Sequence, residues 1–153
     1  MDSSLLATII LGAVGVAITL YYSWHSKKLA HEQLQKELFK EFNERYSRLN
    51  DFLVTVEREA PTLHELELHN EKEILKQKVI DYFSLCAEEF YWYHHKERID
   101  QIIWTSWHSG MNYWYKHVPA IKDLWKKEIA ANGPESYYIT NGNEFFTEET
   151  EQT

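Results

Sequence analysis

Leu5 to Tyr22 is an unbroken run of 18 uncharged, mostly apolar residues, LLATIILGAVGVAITLYY, at the head of an otherwise polar chain. As a helix rising 1.5 Å per residue it reaches about 27 Å, close to the ~30 Å hydrocarbon core of a bilayer. A membrane span is therefore the expectation. A cleaved signal peptide would want a basic amino end and a small-x-small cleavage site. Here the chain begins Met1-Asp2-Ser3-Ser4 and the run exits into Tyr21, Tyr22 and Trp24. A core helix of a soluble protein would be shorter or carry a polar face.

The flanks set the expected orientation. Lys27 and Lys28 follow the run beside His25, whereas only Asp2 and the amino terminus precede it. By the positive-inside rule the amino terminus lies outside and everything after the span lies in the cytoplasm. Tyr21, Tyr22 and Trp24, with Lys27 and Lys28, occupy the membrane-interface positions of such a helix. Gly12, Ala13, Gly15 and Ala17 form a small-residue strip on which two copies could associate.

Beyond the anchor roughly 130 residues remain, enough for one domain with its own core. The net charge is −8, and the last 22 residues hold five acids and no base. A basic footprint for nucleic acid is absent. The single cysteine, Cys86, has no partner for an internal disulfide and falls on an apolar stripe, which reads as a reduced core thiol.

The expected fold is all-α: an N-terminal transmembrane helix continuing into a stalk and a small antiparallel bundle of about four helices, with a short C-terminal β-hairpin. The boundaries are 1–24 for the anchor, 25–133 for stalk and bundle, and 134–153 for an aromatic and acidic tail. Phe39, Phe42, Tyr46, Leu49, Leu53, Val56 and Ala60 alternate steps of three and four. Half of that seam is aromatic, which favours a bundle helix over a parallel dimer zipper. Pro61 ends this helix and Thr62 caps a short successor. Asn70 to Glu73 has capping-box form before the stripe Leu75, Val79, Tyr82, Phe83, Cys86, Phe90 and Tyr93. Asp100 caps the next helix, Pro119 suits the first turn of another, and Asn132-Gly133-Pro134 stops it. Asn141-Gly142 between Tyr137–Thr140 and Asn143–Thr147 is a hairpin signal. Glu148 to Thr153 is expected to be disordered.

Eight histidines raise the question of a metal. His64 and His69 are five apart and point some 140° apart on a helix; no Glu-x-x-His pair occurs, and His94 and His95 are adjacent. No metal and no cofactor is expected, and no catalytic residue is assigned: the chain has neither a Gly-x-Ser-x-Gly elbow nor a phosphate-cradling glycine loop. The densest block is Asp81 to Tyr115, which packs nine of the 23 aromatics between Phe90 and Tyr115. Read functionally, it is an aromatic-lined ligand site of Glu88, Glu89, Tyr93, His95, Arg98, Trp104 and Trp107. Read structurally, it is the main core, with Arg98 and the acids in an ion-pair network that fixes the turn.

The pattern Asp81-Tyr-Phe-x-Leu-Cys-x-Glu-Glu-Phe-Tyr-Trp-Tyr93, then Arg98-Ile-Asp-x-x-Ile-Trp104-x-x-Trp107-x-x-Gly110-Met111, resembles a family of small bacterial single-span proteins of unknown function. The likeness covers roughly residues 40–130 and rests on aromatics and turn residues. It implies a bacterial inner-membrane protein with a cytoplasm-facing helical domain, and it carries no activity with it.

The leading expectation is thus a membrane-anchored module without catalytic machinery that binds a protein partner or a second copy of itself. The membrane is met through residues 5–22, and no nucleic acid is engaged. The alternative is a membrane-tethered small-ligand sensor or enzyme using Glu88, Glu89, His95 and Arg98. It predicts a concave pocket with convergent polar groups and perturbed carboxylates.

Overall fold

The computed structural model describes residues 2–142 and 144–147, the side chains of Leu5 and Leu6 excepted. The chain divides into two units, residues 1–37 and 38–153. Helix α1 (Ser3–Glu59) contributes to both.

In the first unit every described side chain from Asp2 to Ala30 is exposed, the apolar Leu11, Val16 and Leu20 included. Among the described residues, this is the one helix long and apolar enough to cross a membrane. Its two threonines satisfy their hydroxyls within the helix: Thr8 donates to the Ser4 carbonyl and Thr19 to the Gly15 carbonyl, each at 2.9 Å. Past the apolar run, His25 stacks on Tyr21, and Lys28 lies 3.9 Å from Glu32 one turn on.

The second unit is a helical bundle. The later part of α1 buries Leu38, Phe42, Leu49, Leu53 and Val56, and Ala60 just beyond its end is buried too. The heptad seam is corrected at two places: Phe39 is 45% exposed and Tyr46 is half-buried. Pro61 ends the helix, and a full capping box of Thr62 and Glu65 starts the short α2 (Leu63–Leu68). Helix α3 (Lys72–Phe90) starts differently from expectation, with Glu71 at its N-cap and no side-chain cap. His69 instead takes the N–H of Glu71 on Nδ1 and that of Lys72 on its carbonyl, so the start of the helix is met by His69 rather than by an Asn70–Glu73 box.

A π turn at Tyr91–His95 follows α3, then a turn with Glu97 in the left-handed region (φ 51°). Asp100 caps α4 (Gln101–His117), accepting the Ile102 N–H at 2.7 Å. Helix α5 (Pro119–Asn132) opens on its proline and closes at Gly133, whose φ of 79° suits glycine. Its Ala120 N–H donates to the Pro61 carbonyl at 2.8 Å, tying α5 to the turn between α1 and α2.

The expected β-hairpin is not present; no strand occurs among the described residues. A 3₁₀ turn at Pro134–Tyr137 leads into Tyr138 at φ 58°, and bends follow. Two physical reasons are visible. Phe145 and Phe146 are consecutive and both fully buried, whereas a strand sends neighbours to opposite faces. The Glu144 carboxylate also accepts the Thr140 N–H, which a strand ladder would need, together with the Asn141 N–H of the turn. The tail aromatics complete the core: Phe146 stacks on Tyr115 at 4.7 Å and meets Trp125 edge-on at 5.0 Å. Asn143 and the acidic end, Glu148 to Thr153, lie outside the described residues.

Candidate functional site

The seven residues expected to form one site are split four ways. Glu88 faces α1, where Arg45 grips it with two hydrogen bonds, Nη1 to Oε2 at 2.5 Å and Nη2 to Oε1 at 2.9 Å. Tyr93 stacks flat on Trp104 at 4.7 Å, and Trp104 and His95 both lie against Phe90, with a His95 ring nitrogen 3.3 Å from the Tyr138 carbonyl. That group is packing around the π turn. Arg98 is exposed in the turn beyond it, its backbone N–H given to the Trp92 carbonyl. The ion-pair network expected between Arg98 and the acids is therefore corrected for Glu88, whose partner comes from 43 residues upstream.

Glu89 and Trp107 remain, and they do share a site. Between α1, α3 and α4 lies a cavity of about 220 Å³. Helix α1 contributes Asn43 and Tyr46, α3 contributes Tyr82 and Glu89, and α4 contributes Ser106, Trp107, Gly110 and Met111. The floor is Tyr82, Glu89 and Met111, all buried, while Ser106 at the rim is exposed. Trp107 is held in place by Phe39, stacked at 6.0 Å, and by Phe42, edge-on at 5.6 Å.

The floor is unusual in what it leaves unpaired. Glu89 is 5% exposed, and no hydrogen bond reaches its carboxyl among the described residues. Burial pushes that carboxyl up to about 8; Arg45 pulls it back in part and Glu88 adds to the rise. The Tyr82 hydroxyl is fully buried and has no hydrogen-bond partner among the described residues. Burial carries it well above the ordinary tyrosine range, and the neighbouring Cys86 thiol adds to that. Cys86 is pushed well up in turn, by burial first and then by Glu89. Tyr46 accepts from Trp114 Nε1 at 3.0 Å, which leaves its own O–H proton to give. Buried polar groups are normally satisfied, so an orphan acid and an orphan phenol at one cavity floor mark a place built to meet something.

Asn43, Tyr46, Tyr82, Ser106, Gly110 and Met111 were not in the expected site. One signal for them was legible: a tyrosine at a seam position where a packing helix prefers aliphatics. Elsewhere, no three His, Cys, Asp or Glu side chains converge as metal ligands among the described residues. Comparison with known proteins finds no matching family model, no matching curated protein and no matching solved structure.

Proposed function

We propose that this chain is a membrane-tethered binding module whose helical domain receives a small molecule in the cavity between α1, α3 and α4. The observation that carries this reading is Glu89, a buried carboxyl with no hydrogen bond that faces a cavity with an exposed rim. A protein interior pays several kcal/mol to hold such a group, and a binding site is where the expense has a use. Binding without turnover is the version the floor favours. Tyr82 and Cys86 both hold their protons firmly, which suits hydrogen bonding better than nucleophilic attack.

The tether rests on the exposed apolar helix and its internally bonded threonines. Lys27 and Lys28 support an amino terminus outside and a cytoplasmic domain, and the family resemblance supports a bacterial inner membrane. An adaptor that binds a protein or a second copy is the other reading of the same tether; the open cavity places the small-ligand reading ahead of it.

The test uses the full-length protein in a non-ionic detergent, with one-ring probes of different charge: benzylammonium, benzyl alcohol and benzoate. At least one should raise the thermal midpoint and change the tryptophan fluorescence. Ser106→Trp, at the exposed rim, should abolish the effect. No response to any of the three at millimolar concentration would sink the small-ligand reading.

A further inference from the structure

The chemistry of the lining narrows what the cavity holds. Its one ionisable acid is Glu89, and none of its side chains carries a positive charge. An anion would meet a carboxyl and no base. A metal ion would find one carboxylate and two neutral phenols, too few charged donors for a hard cation. The walls are aromatic, Trp107 and Tyr46 on two sides with Tyr82 below, and such faces attract a cation that has left water. The floor offers an acceptor, the Glu89 carboxyl, whereas the Tyr82 hydroxyl is shut away beneath it beside Cys86. The volume of about 220 Å³ exceeds the roughly 150 Å³ cavity that accepts benzene, so one small ring or an equivalent branched chain fits.

Resting on the small-ligand reading, we propose that this pocket takes a small organic ammonium ion, its N–H groups donating to the Glu89 carboxylate and its carbon body lying against Trp107 and Tyr46. The ligand supplies the positive charge that the fold withholds from Glu89. Arg45 is the nearest protein cation, and it is already engaged by Glu88. The titratable groups around Glu89 are Arg45 and Tyr46 from α1 and Tyr82, Cys86 and Glu88 from α3; the lining residues of α4 do not titrate. Near neutral pH the empty site keeps its proton on Glu89, so a bound ammonium ion displaces one proton to solvent.

The probes distinguish this inference from the broader one. Benzylammonium should bind the full-length protein at least about tenfold more tightly than benzyl alcohol, and benzoate should not bind. Calorimetry at pH 7 in buffers of different ionisation enthalpy should show close to one proton released per benzylammonium. Glu89→Gln should weaken benzylammonium by about tenfold or more and benzyl alcohol far less. Equal binding of benzylammonium and benzyl alcohol, or an unaltered benzylammonium affinity in Glu89→Gln, would overturn the ammonium assignment and leave the pocket standing. Binding of no probe would remove both. Ser106→Trp changes only the exposed rim and serves as the second variant; persistence of benzylammonium binding in it would also overturn the assignment.

Discussion

Arg45 and Glu88 form a two-pronged ion pair between α1 and α3, and the carboxyl of the very next residue, Glu89, meets no hydrogen bond among the described residues. Two adjacent acids on one helix thus stand in opposite circumstances. Their amide substitutions should shift stability in opposite directions. Glu88→Gln breaks a part-exposed charge-assisted pair and should cost about 1 kcal/mol. Glu89→Gln removes a buried acid that Arg45 offsets only in part and should raise the thermal midpoint at pH 8 and above. Measuring both variants in the same detergent settles it; a lower midpoint for Glu89→Gln at that pH would contradict the orphan-acid account.

The pH dependence follows from the raised Glu89 carboxyl. Below pH 4.5 folded and unfolded chains both hold the proton, so Glu89 costs nothing. Between 4.5 and about 8 the unfolded chain releases a proton that the folded chain keeps, and stability falls as pH rises. Above about 8 the folded chain ionises too and the loss is complete. The full difference is of the order of 5 kcal/mol. Wild type and Glu89→Gln should therefore show similar pH trends near pH 4 and diverge steadily up to about pH 8. Parallel curves across that window would count against it.

The local punctuation of the fold was legible from sequence because its physics is local. Thr62 with Glu65, Asp100, Pro119 and Gly133 all act within a turn of where they stand. The hairpin signal at Asn141-Gly142 was also local, and it lost to tertiary packing once Phe145 and Phe146 found Trp125 and Tyr115. The candidate site was half legible. Glu89 and Trp107 stand in the aromatic block, but Tyr46 and the Arg45 partner of Glu88 come from a helix far upstream. No spacing rule links residues 43 apart, so the sequence could not say which acid would be paired and which left bare.

The docked tail should be structural. Phe146 is fully buried against Tyr115, Trp125 and Phe83, and Asn112 fastens the next residue by accepting both the backbone N–H and the hydroxyl of Thr147 at 2.9 Å. Phe146→Ala should cost about 3–5 kcal/mol through lost burial and the cavity left behind. Asn112→Ala should cost about 1–3 kcal/mol. Thermal or denaturant unfolding of each variant checks this, and a near-neutral Phe146→Ala would mean the tail contributes little to the core.

The anchor and its orientation can be read with thiol chemistry, because the chain's own Cys86 is fully buried and its thiol is pushed well up. A thiol of that kind is a poor nucleophile and should stay unlabelled in the folded protein. Full-length protein expressed in a bacterial membrane should resist alkaline carbonate extraction, and the same chain lacking residues 1–24 should be released. Ser3→Cys should react with a membrane-impermeant maleimide on intact cells from which the outer membrane has been stripped. Ser136→Cys, exposed beyond α5, should react only after the inner membrane is permeabilised. The reverse labelling pattern would invert the topology proposed from Lys27 and Lys28, and release of the full-length chain by carbonate would remove the proposed span itself.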